Sequence, residues 1–166
     1  MPTLEERIQR IEDESAIRQL VARFADICTH GDMQAFPKLW VSHGDNKPMW
    51  TLTEPFAMSA TGIDEIMDMA RKLRDPRDFF VQLVHTGLLD INGDHATGRW
   101  IMHEVGKGPG EVYYNNFAFY EDFMEKQDGK WYFARRNYKY MFLDSDSFAG
   151  KMFHAQAVAS LQLSFG

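Results

Sequence analysis

Leu88-Leu89-Asp90-Ile91-Asn92-Gly93-Asp94-His95-Ala96-Thr97-Gly98-Arg99-Trp100-Ile101-Met102-His103-Glu104-Val105 decides the fold. Asn and Gly tolerate the positive φ of a tight turn, so Asn92-Gly93-Asp94 reads as a hairpin between two runs of two-residue alternation, Phe79 to Ile91 and Ala96 to Val105. The alternation continues past Gly106-Lys107-Gly108-Pro109-Gly110 into a third strand, Val112 to Met124. A turn at Gln127-Asp128-Gly129 then leads to a fourth, Trp131 to Phe142. Upstream the period is helical. Thr3 and Glu6 form a capping box, and apolar residues recur at Ile8, Ile11, Ile17, Leu20, Val21, Phe24, Ile27 and Cys28, with a re-cap expected at Asp13 or Ser15. Gly31 stops this helix, and Asp32 caps a second that carries Met33, Phe36, Leu39 and Trp40. Short strands are expected at Met49 to Thr53 and Phe56 to Ser59, and a helix opens at Gly62-Ile63-Asp64. Helices first and a long antiparallel meander afterwards is the order of an α+β domain.

At 166 residues the chain suits a single domain, 1–166, with 147–166 as a tail or closing helix. A net charge of −6 offers no basic field for nucleic acid or an anionic membrane surface, and no apolar run reaches membrane length. Cys28 is the sole cysteine, which fits a reducing, cytoplasmic setting and rules out a thiolate-rich zinc site. The acidic start, Leu4-Glu5-Glu6, is unlike a signal peptide. Ten Met and 14% aromatic residues supply large, adaptable apolar side chains, suited to a pocket or an oligomer interface and equally to core packing.

Glu104 is the sharpest local clue. It follows Ala96, Gly98, Trp100 and Met102 on one strand face, which aims a carboxylate at the interior; there its charged form is disfavoured and it can exchange protons near neutrality. The alternative is a solvated strand end or a pairing with Arg. His85, in an otherwise apolar strand, is either a general base or acid or a core or dimer-face histidine. Tyr114, Asn116, Tyr120 and Asp122 share a face on the third strand, as do Arg136, Tyr138 and Tyr140 on the fourth. These groups offer hydrogen bonds to a ligand's oxygens, while Asp122 with Arg136 reads best as a structural ion pair. Trp50 and Trp100 are wall or core. No metal-ligand spacing, phosphate loop or nucleophile elbow occurs, so any chemistry is expected to be free of metal and cofactor.

The pattern resembles the SnoaL-like branch of the nuclear transport factor 2-like superfamily. It does so through Ala16-Ile17-Arg18-Gln19-Leu20-Val21-Ala22-Arg23-Phe24-Ala25 with His30-Gly31-Asp32, through residues 90–100, and through Tyr120-Glu121-Asp122 and Asp128-Gly129-Lys130-Trp131-Tyr132-Phe133-Ala134-Arg135-Arg136. The resemblance implies a cone: a strongly bent, mostly antiparallel sheet packed around three to four N-terminal helices, enclosing a pocket, with a homodimer as the expected assembly. It also implies a lyase or isomerase similar to scytalone dehydratase-type and dehydrochlorinase-type enzymes, acting on a small hydrophobic or aromatic molecule. Such enzymes pair a carboxylate near the end of the long helix with a His on the first long strand. The carboxylate position falls on Thr29. The His is met by His85 with a shift at Gly87 that marks a bulge, and without that shift Gln82 lies nearer. Catalytic roles are thus expected of His85 and Glu104. Tyr114, Asn116, Tyr120, Arg136 and Tyr138 would orient the ligand, with Thr29, Trp50, Gln82 and Trp100 on the wall. The competing expectations are a non-catalytic binding protein with the same pocket and a structural dimerisation module.

Overall fold

The capping box opens the first helix as expected. In the computed structural model, which describes residues 2–44, 47–110 and 112–147, Thr3 Oγ1 accepts from the Glu6 amide at 3.2 Å and the Glu6 carboxylate accepts from the Thr3 amide at 2.6 Å. Helix α1 then runs unbroken from Leu4 to His30. The re-cap expected at Asp13 or Ser15 is absent: the Asp13 carboxylate accepts instead from Trp131 Nε1 at 2.8 Å and pairs with Lys126 Nζ at 2.7 Å, tying the helix to the sheet. Ile8 and Ile11, expected on the buried stripe, are exposed, and burial begins at Asp13 and Ile17. Gly31 adopts φ 74, a conformation costly for a residue with a Cβ, and its N–H reaches the Ile27 carbonyl to close the helix.

The helix expected after Gly31 contracts to a 3₁₀ turn, Phe36–Leu39. Asp32 does not cap it: the N-cap is Ala35, and Asp32 Oδ1 accepts from the Gln34 and Ala35 amides in the turn just before. Pro37 lacks the N–H that a longer helix would use, and Trp40 is already extended, bridging to Phe133. With α2 at Ile63–Arg74, the described residues hold two α-helices, not three to four.

Six strands, β1 (Met49–Leu52), β2 (Met58–Thr61), β3 (Phe79–Asn92), β4 (His95–Gly108), β5 (Val112–Gln127) and β6 (Lys130–Asp144), form one sheet in the order β2-β1-β6-β5-β4-β3. The long hairpins are antiparallel as the turns require, while β1 runs parallel to β6, so the sheet is mixed. Bulges at Val84/Gly87, Phe117/Ala118 and Phe123/Met124 give the sheet its bend. At the first of these, Gly87 leaves room for an indole: a Cβ there would meet Trp100 Cε3 at 2.1 Å.

Helix α1 lies in the bend and buries Ile17, Leu20, Val21, Phe24 and Ile27 against it. Phe24 is the hub, with ring centroids 5.2 to 5.8 Å from those of Phe36, Trp50, Tyr120 and Phe133. Rings at such separations attract beyond the area they bury. No described helix is long and apolar enough to cross a membrane. The expected tail, 147–166, falls outside the described residues from 148 onward.

Candidate active site

Between α1, α2 and the inner face of the sheet lies a narrow cavity of about 40 Å³. Its walls are mostly apolar, with Met33, Phe36, Leu52, Leu73 and Phe80 among them; Cys28, Trp50, Gln82, Glu104, Tyr120, Tyr138 and Tyr140 complete one side, and Arg74 and Arg77 the rim. Burial pushes the Cys28 thiol up to about 12, so at neutral pH the sulfur is an apolar lining atom rather than a nucleophile.

Glu104 projects inward, as its place on the strand requires, and is only 7% exposed. Its two oxygens are held by neutral amides: Gln82 Nε2 donates to Oε1, and Asn116 Nδ2 donates to Oε2 at 3.3 Å. Asn116 Oδ1 in turn accepts from the Tyr138 hydroxyl at 2.7 Å. Glu104, Gln82, Asn116 and Tyr138 therefore form one hydrogen-bonded chain across four neighbouring strands. No cation pairs with Glu104 among the described residues. Burial, reinforced by the charge of Glu104, raises the Tyr138 and Tyr140 hydroxyls above the ordinary phenol range, so both remain donors at neutral pH.

Pairing explains why Gln82 meets Glu104. The two residues are register partners, and partners in an antiparallel ladder share a face. The same register corrects the expectation for His85. Counting back from the Asn92–His95 pair, an unbroken ladder would set His85 opposite Met102 on the inner face. The bulge puts Val84 there instead, so Phe80, Gln82 and Val84 point inward and His85 faces out. His85 is exposed, its ring 6.1 Å from that of His103, which stacks on Phe117 on the outer face. The expected His85–Glu104 pair is not assembled.

The other expected site residues divide. Trp50, Gln82, Tyr120 and Tyr138 line the cavity, and Trp50 Nε1 and Gln82 Oε1 have no hydrogen-bond partner among the described residues. Thr29 is not wall: its hydroxyl accepts from the Gln82 amide at 3.0 Å, satisfying an edge-strand donor and fixing the backbone that carries Gln82. Asn116 acts from behind Glu104. Tyr114 packs beside Phe80 and under the rim arginine Arg77. Trp100 is core, folded over Gly87 and Gly98 away from the cavity. Arg136 is fully buried and spent on Asp122, Nε and Nη2 each 2.9 Å from a carboxylate oxygen, as the structural pairing predicts. Sequence patterning does not single out the two lining arginines, Arg74 at the end of α2 and Arg77 just before β3.

Residues 9–137 match the model of the SnoaL-like domain. The chain belongs to this family. Solved structures share its fold. A proposed scytalone dehydratase from Novosphingobium aromaticivorans DSM 12444 superposes with a TM-score of 0.75 at 14% identity, over 86% of this chain and 93% of that one. The hexachlorocyclohexane dehydrochlorinase LinA-type3 from Novosphingobium barchaimii LL02 gives 0.74 at 18% identity, over 89% and 97%. At such identities the likeness establishes the SnoaL-like fold and nothing finer.

Proposed function

We propose that this SnoaL-like domain is an enzyme of lyase or isomerase type that moves a proton on a small hydrophobic, aromatic substrate, by elimination, isomerisation or carbon–carbon cleavage, with Glu104 as the base. The observation that carries the reading is a buried carboxylate at the wall of an apolar cavity, held at both oxygens by neutral amides and by no cation among the described residues. Amides orient such a group without pairing its charge with a cation, so its lone pairs stay aimed. Trp50 Nε1 and the Tyr140 hydroxyl are the wall donors available to an oxygen on which charge develops, and Gln82 Oε1 is available to a ligand hydroxyl. Placing the proton beside the carboxylate in a site that excludes water would supply most of the rate. The fold likeness to proteins named as a dehydratase and a dehydrochlorinase, both elimination enzymes by name, agrees with this chemistry. A ring-sized ligand requires the cavity to widen, and Met33 and Leu73, half-buried on its wall, are the flexible side chains able to shift.

A second reading is a binding protein with the same cavity and no turnover. Thr29 favours it, since a hydroxyl engaged with the Gln82 amide stands where the resembled enzymes carry a carboxylate. A homodimer through the outer sheet face, where Leu83, Phe117 and Phe142 are exposed, fits either reading. The readings separate in deuterated buffer, with NMR following lignin-derived, steroid and polyketide-like aromatics. Product, or deuterium at a ligand carbon, formed by the wild type and lost in Glu104→Gln supports the enzyme. Ligands that bind and return unchanged support the carrier.

A further inference from the structure

Two arginines line the cavity, and they are used differently. Arg74 is fully engaged by backbone: Nε donates to Cys28 O at 3.0 Å, Nη1 to Arg77 O at 3.1 Å and Nη2 to Thr29 O at 3.3 Å. It thereby satisfies carbonyls in the last turn of α1, where a cation also suits the helix dipole, and pins the backbone of Arg77. Arg77 itself is half-buried and makes neither an ion pair nor a side-chain hydrogen bond with any described residue. Its guanidinium is nonetheless positioned, 4.5 Å from the ring centroid of Phe80 and 4.5 Å from that of Tyr114. Stacking on two rings fixes the plane of the fork while leaving its N–H edge unspent.

A fixed, half-buried guanidinium with no acid partner among the described residues, on the wall of an apolar cavity, is the arrangement that receives a planar anion in two parallel hydrogen bonds. The charge of Arg77 also reaches across the cavity, where it opposes the effect of Glu104 on Tyr114 and Tyr140. Without that charge, an anion entering a cavity that already holds Glu104 would be repelled. We infer that Arg77 is the anion-binding side chain of this cavity, and that the ligand is a small aromatic or alicyclic carboxylate. The carboxylate takes the guanidinium fork, the ring lies on the apolar wall, and the reactive end faces Glu104. The inference rests on the cavity being the functional site and adds the substrate class to it.

The test compares matched pairs, benzoate with benzamide and trans-cinnamate with cinnamamide, titrated against the full chain by calorimetry and by Trp fluorescence, Trp50 being on the wall. In the wild type each acid is expected to bind about tenfold or more tightly than its amide, a difference of about 1.4 kcal/mol or more. Arg77→Gln, with a wild-type circular dichroism spectrum, should abolish the preference, and Arg77→Lys should retain part of it, since a point charge replaces a fork. Equal binding of acid and amide by the wild type, which needs no variant, overturns the inference. So does an undiminished preference in folded Arg77→Gln. Glu104→Gln separates this failure from that of the proposed reaction. It should keep the acid preference and lose turnover, whereas normal turnover with the preference intact would remove the reaction and leave the anion site standing.

Discussion

Glu104 and Asp122 lie on the inner face of one sheet, on adjacent strands, and both are shut off from solvent. At Asp122 a cation answers the charge: Arg136 clasps both oxygens, and its guanidinium sits 3.7 to 4.0 Å from the ring centroids of Tyr120, Phe24 and Phe133, although burial still raises the Asp122 carboxyl above its ordinary value. Neither Asp122 nor Arg136 lines the cavity. At Glu104 only amides answer the charge, and the cavity begins at the carboxylate. A third buried carboxylate, Asp13, stands between these extremes, held by Lys126 and Trp131 near the far end of α1. Burial alone therefore does not mark a functional acid. What distinguishes Glu104 is that no cation pairs with it among the described residues and that space lies beside it.

Substitutions can break that contrast. Asp122→Ala should produce the largest loss of stability, about 3–5 kcal/mol in urea unfolding, because it strands a buried guanidinium. A loss under about 1 kcal/mol would mean that Arg136 finds another partner and that the pair is not the clasp described.

Asp13→Asn sharpens the comparison from the intermediate case. Burial raises the Asp13 carboxyl, but the Lys126 and Trp131 interactions outweigh it and hold the folded-state value below the ordinary one. A lowered folded value contributes stability that is complete above the unfolded value, about 3.9, and is lost as pH falls through the folded value. The variant should therefore be weaker than wild type by roughly 1.5–3 kcal/mol at pH 7, and the gap should close below about pH 4. A gap independent of pH would contradict the assignment.

Glu104→Gln should change unfolding free energy by less than about 1 kcal/mol, or raise it, since no cation is left behind and sites shaped for activity are commonly not optimised for stability. A loss as large as that of Asp122→Ala would make Glu104 structural. His85→Gln should alter neither stability nor turnover, because the ring lies on the outer face.

Much of the fold was legible because its signals are local. The Thr3–Glu6 box, the Gly31 stop and the Asn92-Gly93 and Asp128-Gly129 turns each act within a few residues, and the inward aim of Glu104 follows from its own strand. The parallel β1–β6 pairing was not legible, since it joins segments about 85 residues apart that share no turn. Nor was the phase of β3. Phe79, Val81 and Leu83 are more apolar than Phe80, Gln82 and Val84, so alternation alone points to the wrong set as inward, and the bulge after Val84 reversed it. That one inserted residue turned His85 outward, setting Val84 opposite Met102 and Gln82 opposite Glu104. Thr29 was read correctly as lacking a carboxylate, but its service to the Gln82 amide depends on a helix end meeting a strand edge, which no local pattern encodes.

The most direct test of the central claim is turnover by Glu104→Gln, measured on the same ligand and beside its affinity. Turnover should fall about 10²- to 10⁴-fold, the range spanned by a positioned acid or base, while the dissociation constant rises by no more than about threefold. Turnover at the wild-type rate by a correctly folded Glu104→Gln would contradict that claim.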